Sequence, residues 1–454
     1  MSLSKNDDIT LTIDGFTSEG SGVGHYEGMA VFVAGAAKGD TVQCHIIKAK
    51  KNYAIGKITK ILTPSADRIA PDCPAFPRCG GCVYRHISYV AEKELKQQRV
   101  DDCFRRIGHL DISTAPIIGG ERERYRNKAQ YPVRIERGRL CIGFYAGKTH
   151  NVADCADCRL QPPEFAEILQ IFRDFITKNS ISVYNETTGK GLLRHIYIRK
   201  AFATGELMVT AVLNGEKLPF ADALVAALTA ALPAIKSIYI NINKENSNVV
   251  LGETCALLYG KTFIEDILCG LRIRLGPLSF YQVNHDNAEK LYALAAKFAG
   301  LTGAETLLDL YCGAGAIGLS MAHRVKKLIG VEIVPEAIKN AEENARINHI
   351  ANAEFICGDA ETAAAQLLAR ETRPDVVVVD PPRKGCGETL PATIASMAPK
   401  KIVYISCDPA TLARDCATFA ALGWQVQKAR PVDMFPATAH CECVALLTRD
   451  SDIQ

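Results

Sequence analysis

Cys407 closes the run Ile402-Val403-Tyr404-Ile405-Ser406 and is followed by Asp408-Pro409, a pair that reads as the N-cap and first residue of a helix. A strand-to-helix handover is where open α/β sheets keep their chemistry. The thiol is therefore expected to face free backbone N–H groups and the positive end of a helix dipole, which lowers a thiol pKa, although Asp408 pulls the other way. A reactive thiolate is the expectation. Glu442, in the segment from Met434 to Leu447, has apolar neighbours whose desolvation would raise its pKa, as suits a general base. His440 is the rival base.

Upstream, Asp309-Leu310-Tyr311-Cys312-Gly313-Ala314-Gly315-Ala316-Ile317-Gly318 joins an apolar run to a helix-like stretch. Gly313, Gly315 and Gly318 satisfy GxGxxG, which allows a tight turn and a close backbone approach to a nucleotide. Alone this is weak, and it also suits a dehydrogenase. Nineteen residues after Gly313, Glu332 ends the second strand, where a carboxylate accepts both ribose hydroxyls. Asp359 ends the third strand, within reach of an adenine amino group or a nearby water. Asp380 ends the fourth, in Val376-Val377-Val378-Val379-Asp380-Pro381-Pro382, as a rigid lip over the place where a methyl donor would lie. The four positions favour S-adenosylmethionine over a nicotinamide.

A methyl donor beside a thiolate has a specific use. C5 of a pyrimidine is too weak a nucleophile to take a methyl group unaided, but sulfur addition at C6 makes the ring an enolate that attacks through C5. The C5 proton must then leave, which calls for the base. An amino-methyltransferase, by contrast, needs no cysteine.

Cys73, Cys79 and Cys82 gather three thiols within ten residues, with Gly80 and Gly81 between them. Cys155 and Cys158 are both candidates for a fourth ligand. Structural zinc and an iron–sulfur cluster both accept four thiolates, and spacing does not choose between them.

These groups need elements to hold them. From about Leu301 strands and helices alternate strictly, which predicts a parallel, doubly wound sheet closed by two terminal strands. Residues 8 to 62 alternate as short strands broken by glycine-rich turns, the pattern of a small barrel. Lys48, Lys50, Lys51, Lys57 and Lys60 with Tyr53 would suit single-stranded RNA there, or simply a solvated edge. A charged helix follows near residues 91 to 110. Residues 121 to 139 then carry seven Arg or Lys against three Glu, a basic ridge or a salt-bridged surface. The stretch from 140 to 275 reads as mixed α+β.

A chain of 454 residues needs two or three domains. At 48% hydrophobic and 23% charged residues, the composition excludes a disordered or fibrous chain. No apolar run reaches membrane-spanning length, and the N-terminus lacks a secretory pattern, so no membrane partner is expected. Seventeen cysteines fit a reducing compartment, and the cytoplasm is the expected location.

The motifs Phe280 to Asn284, Asp309 to Leu319, Gly330 to Ala345, Asp380 to Gly385, Ser406 to Asp415 and Asp433 to Glu442 together closely resemble the RNA uracil-C5 methyltransferases. The resemblance implies a Rossmann-like class I methyltransferase domain at residues 276–454. It implies that Gln282, Tyr311, Glu332, Asp359 and Asp380 bind S-adenosylmethionine, that Cys407 attacks C6, and that Glu442 removes the C5 proton. Ala316 departs from an asparagine of some members, so that polar contact is absent. The ribosomal-RNA branch adds an OB-like TRAM barrel, which fits residues 1–63. It also adds a [4Fe-4S] cluster, which by resemblance falls on Cys73, Cys79, Cys82 and Cys158 within a central α+β domain at residues 64–275. Members of the family fold the segment near 90–120 back on the catalytic domain. The implied partner is 23S ribosomal RNA, since bacterial transfer-RNA members lack barrel and cluster, and the implied state is a monomer. A transfer-RNA uridine methyltransferase and a non-catalytic iron–sulfur RNA-binding protein are the other readings.

Overall fold

The computed structural model describes residues 3–449. Its first element is a closed barrel of β1 (Asp8–Phe16), β2 (Gly22–Tyr26), β3 (Met29–Val33), β4 (Thr41–Ala49) and β5 (Tyr53–Thr63), in the order β1-β2-β3-β5-β4. Period-two alternation builds it: Ile9, Leu11 and Ile13 point inward and Asp8, Thr10 and Thr12 outward. The five lysines read as an RNA platform or a solvated edge are all exposed. Buried Asp40 accepts from the backbone N–H of Ala37 (2.6 Å) and Ser65 (2.9 Å) and pairs with Arg68, pinning the barrel to the segment that leaves it.

Helix α1 (Tyr89–Arg106) starts at Ser88, whose side chain accepts from the N–H of Ala91 at 3.2 Å. Its buried stripe runs Glu92, Lys96, Val100 and Phe104, so two charges share one face with the apolar residues. That face lies on the C-terminal part of the chain. Val100 and Phe104 join a core with residues of the last sheet. Lys96 donates to Glu92 at 2.8 Å and to Asp433 at 2.7 Å, all three being buried, and Arg122 faces the other oxygen of Glu92 at 3.3 Å.

The central sheet runs β12-β11-β10-β9-β6-β7-β8. Its elements are β6 (Lys128–Glu136), β7 (Arg139–Tyr145), β8 (Val152–Asp154), α2 (Pro163–Lys178), β9 (Leu193–Lys200), β10 (Leu207–Leu213), α3 (Ala221–Ala231), β11 (Ile235–Ile242) and β12 (Thr254–Gly260). Phe165, Ile168 and Phe172 of α2 and Leu224 and Leu228 of α3 cover one face. A hairpin of β13 (Ile264–Leu268) and β14 (Leu271–Leu275), not foreseen from the sequence, leads onward.

The C-terminal elements are α4 (His285–Ala299), β15 (Thr306–Leu310), α5 (Ala316–Met321), β16 (Lys327–Glu332), α6 (Pro335–Ile347), β17 (Ala353–Cys357), α7 (Ala360–Ala369), β18 (Val376–Val379), α8 (Leu390–Met397), β19 (Lys401–Ser406), α9 (Pro409–Ala421), β20 (Trp424–Val432) and β21 (Glu442–Arg449). The sheet order is β17-β16-β15-β18-β19-β21-β20, parallel from β17 to β19, with β21 inserted antiparallel between β19 and β20. Val376 to Val379 are buried on both faces, as a central parallel strand demands. The order reverses between β15 and β18, the crevice where such sheets bind ligands.

Replacing Lys96 by Met leaves Glu92 and Asp433 buried without their shared cation. Stability should fall by about 3–5 kcal/mol, read as a lower urea midpoint at unchanged slope.

Candidate active site

Cys407 sits one residue past the end of β19, half-buried at the edge of a cleft. Asp408 caps α9 by accepting from the N–H of Ala410 (2.9 Å) and Thr411 (3.3 Å), and its own N–H donates to Ser406 Oγ at 3.1 Å. The helix donors expected to face the thiol are therefore partly taken. Burial, then the carboxylates of Glu442 and Asp380, push the thiol up to about 11, and Arg383 opposes them only in part. This corrects the expectation of a lowered thiol pKa: desolvation and two acids outweigh one helix terminus. The resting group is a thiol.

The base candidate comes to it through sheet register. Ser406 pairs with Cys443 across β19 and β21, so one residue further Cys407 stands opposite Glu442. Directly opposite residues of an antiparallel ladder project to the same face, with Cβ atoms about 4.5–5.5 Å apart. Glu442 is buried, and burial followed by Asp380 pushes it up to about 8, with Arg383 lowering it. His440, the rival, is exposed at the cleft rim, where burial of its ring and the cations Arg383, Arg99 and Lys96 hold it neutral.

The strand ends next to this pair are acidic. Burial raises Asp380 to about 7 and Asp309 to about 7, and Asp380 and Glu332 add to the rise at Asp309. One oxygen of Asp309 accepts from the N–H of Gly318 at 2.9 Å, and the other has no partner among the described residues. A Cβ at Gly318 would meet the bonded oxygen at 2.7 Å, so glycine is required there. Tyr311, Gly313 and Gly315 all have positive φ, which turns the loop sharply out of β15. Both oxygens of Glu332 are held by backbone, from Gly313 N–H at 3.1 Å and Val334 N–H at 2.9 Å.

Asp359 is the N-cap of α7. Its Oδ1 accepts from Glu361 and Thr362, both at 3.1 Å, while Oδ2 bonds none of the described residues. Gln282 and Asp380 both act electrostatically on the buried Tyr292 hydroxyl. Thus Gln282, Tyr311, Glu332, Asp359 and Asp380 lie around the C-terminal edge of one sheet. Exposed Ile333 and Val334 beside Glu332 supply an apolar wall that sequence reasoning missed, though two apolar residues after a strand-end acid are a usable signal. Arg383 was also missed: it stands inside a quoted motif, but only the fold turns it toward Cys407 and Glu442.

The cleft, about 760 Å³, continues from Cys407 to the cysteine loop, where Cys73, Cys79, Cys82, Cys155 and Cys158 line it. The neighbouring Cys155 thiol, with the N–H groups of Leu160 and Gln161, lowers Cys158 to about 7 against the cost of burial. The N–H of Gly81 donates to Cys79 Sγ at 3.4 Å. Among the described residues no group of three or more His, Cys, Asp or Glu is arranged to hold a single metal ion.

A sequence model of the tRNA (Uracil-5-)-methyltransferase family matches residues 271–450, and one of the TRAM domain matches residues 5–59. An RNA methyltransferase of Clostridium tetani is 43% identical over 449 residues, 99% of this chain and 98% of its own. The chain belongs to the RNA (uracil-5-)-methyltransferase family. An RNA methyltransferase of Halalkalibacterium halodurans is 41% identical over 447 residues, 98% of each chain. The crystal structure of Pyrococcus abyssi tRNA (uracil-54, C5)-methyltransferase in complex with S-adenosyl-L-homocysteine matches with a TM-score of 0.78 at 27% identity, over 97% of this chain and 99% of that one. As an RNA (uracil-5-)-methyltransferase the protein joins an N-terminal TRAM barrel to a C-terminal class I methyltransferase fold. Among the described residues, no helix is long and apolar enough to cross a membrane.

The thiol makes a direct prediction. Alkylation of Cys407 by iodoacetamide, followed by peptide mass spectrometry, should climb from pH 8 to 10 without a plateau. Glu442→Gln should speed it above pH 8, because the ionised carboxylate that raises the thiol pKa is gone.

Proposed function

We propose that the protein methylates C5 of a uridine in 23S ribosomal RNA, with S-adenosylmethionine as donor. The observation that carries this reading is the register that sets Cys407 opposite Glu442 beside the acidic strand ends.

The residues fit the donor. Asp309, Asp380 and Glu442 are carboxyl groups driven toward neutrality, and one oxygen of Asp309 is buried and unpartnered. A cationic ligand would supply the missing counter-charge. Glu332 would take the ribose hydroxyls, Ile333 and Val334 the purine face, Asp359 Oδ2 the adenine edge, and Gln282, Tyr311 and Asp380 the remainder. S-adenosylmethionine supplies an electrophilic methyl group when bound.

Cys407 gives its thiol proton to solvent as its Sγ adds to C6 of an everted uridine, and the negative charge that reaches C5 and O4 makes C5 the nucleophile. Arg383 lies where it stabilises that charge. Once C5 carries the methyl group, Glu442 takes the C5 proton, the C5–C6 double bond re-forms and sulfur leaves as the thiolate, which regains a proton from solvent. With a pKa near 8, Glu442 is poised to take a proton and to return it to solvent near neutral pH.

Cys73, Cys79, Cys82 and Cys158 would hold a [4Fe-4S] cluster through four thiolates. Their support is that all four thiols line the same cleft. The corresponding units are 1–63, 64–275 and 276–454 in a cytoplasmic monomer.

Transfer RNA is the second reading. The Pyrococcus abyssi tRNA enzyme matches nearly the whole chain, so barrel and central region together do not by themselves mark a ribosomal substrate.

Labelled methyl from S-adenosylmethionine should enter unmodified 23S RNA as 5-methyluridine and should not enter unmodified transfer RNA; the opposite result selects the second reading. Cys407→Ala should abolish transfer, whereas an amino-methyltransferase would retain it. Glu442→Gln should slow turnover by about 10²–10⁴-fold and leave a methylated RNA–protein adduct on a denaturing gel. Protein purified without oxygen should be brown with about four irons. A colourless protein with stoichiometric zinc would remove the cluster.

A further inference from the structure

Between the cysteine loop and Cys407 one wall of the cleft is formed by Arg126, Lys128 and Gln130. They alternate along the entry into β6, so their side chains share a face, and Ala129 between them is buried in the opposite core. Lys128 is the unusual member. Its ammonium has no acceptor among the described residues, and the charged groups that act on it are two further cations, Arg199 and Arg126. Burial and those neighbours pull it down to about 8. Arg199 faces Lys128 across the ladder and is committed to the carbonyls of Gly276 (3.1 Å) and Ser279 (2.6 Å). Arg126 has no side-chain partner among the described residues.

A withdrawn ammonium beside two guanidinium groups and no acid lowers stability, because desolvation and like charge both oppose it. Such an arrangement persists where a ligand provides the absent anion. The bases of a polynucleotide have no charge to offer, whereas its backbone carries one per residue. We propose that Arg126, Lys128 and Gln130 form a phosphodiester subsite that grips the RNA backbone next to the everted uridine, on the side facing the cysteine loop. The subsite rests on the RNA-methylation reading and assigns the nucleotide flanking the target to this wall. Two ionic contacts anchor it, and the Gln130 amide donates to a phosphate or 2′-hydroxyl oxygen.

The test uses full-length protein prepared without oxygen and a fluorescein-labelled dodecauridylate, with binding measured by anisotropy at several salt concentrations. Lys128→Met and Arg126→Met should each weaken binding about tenfold and reduce the slope of log affinity against log salt by about 0.7. Lys128→Arg should keep the wild-type slope. The thermal midpoint of Lys128→Met should rise, since an uncompensated charge has been removed; a structural lysine would lower it. Unchanged affinity and slope in both methionine variants, with wild-type protein still transferring methyl groups to RNA, would overturn the subsite alone. So would a higher KM for S-adenosylmethionine with RNA binding unaltered. Failure of the wild type to methylate any RNA would strike the underlying reading, and the salt slopes would still be measurable.

Discussion

The antiparallel insertion of β21 between β19 and β20 is the constraint on which the site depends. Five parallel strands bring a nucleotide crevice and its acids to one edge, but parallel neighbours deliver only their C-terminal ends there. A strand running the other way delivers its first residue instead. Glu442 is that residue, and pairing of Ser406 with Cys443 sets it opposite Cys407. A slip of one residue would turn Glu442 to the opposite face. The register is held by the buried alternation of Val444 to Leu447 against both neighbours, so core packing and chemistry are fixed together.

Electrostatics at that edge is deliberately incomplete. Burial raises Asp309, Asp380 and Glu442, Asp380 adds to the rise at the other two, and Arg383 is the cation that acts on both Glu442 and Cys407. On the other wall Lys128 and Arg126 stand without acids. Unpaired acids thus lie at the strand ends beside Cys407, and unpaired cations line the cleft that leads to it. A cationic donor and an anionic polymer would each be drawn to its own set.

Much of this was legible in the residues. The strand-helix alternation after Leu301, the acids at strand ends and the half-buried barrel strands follow from local periodicity and turn chemistry, which act over a few residues. The Cys407 pKa was misread, because capping can be inferred from Ser406-Cys407-Asp408-Pro409, whereas desolvation and the approach of Asp380 and Glu442 are tertiary effects. Lys96 and Glu92 were read as part of a charged helix; their burial depends on Asp433, which lies 337 residues from Lys96. Lys128 was visible only as one charge in a basic stretch. What sets it apart is the acid that is not beside it, a fact no local pattern records.

Helix α1 is synthesised before the central sheet, yet its apolar face packs with residues of the last sheet and Lys96 pairs with Asp433 in the turn after β20. The hydrogen-bonded barrel of β1 to β5 is complete in sequence by Thr63. Val100, Phe104 and Lys96 must wait in water, or with a chaperone, until nearly the last stretch of chain has left the ribosome. The same late residues carry Cys407 and Glu442. Maturation is therefore gated by completion: a stalled nascent chain presents a folded barrel able to meet RNA, but no assembled chemistry with which to mark it.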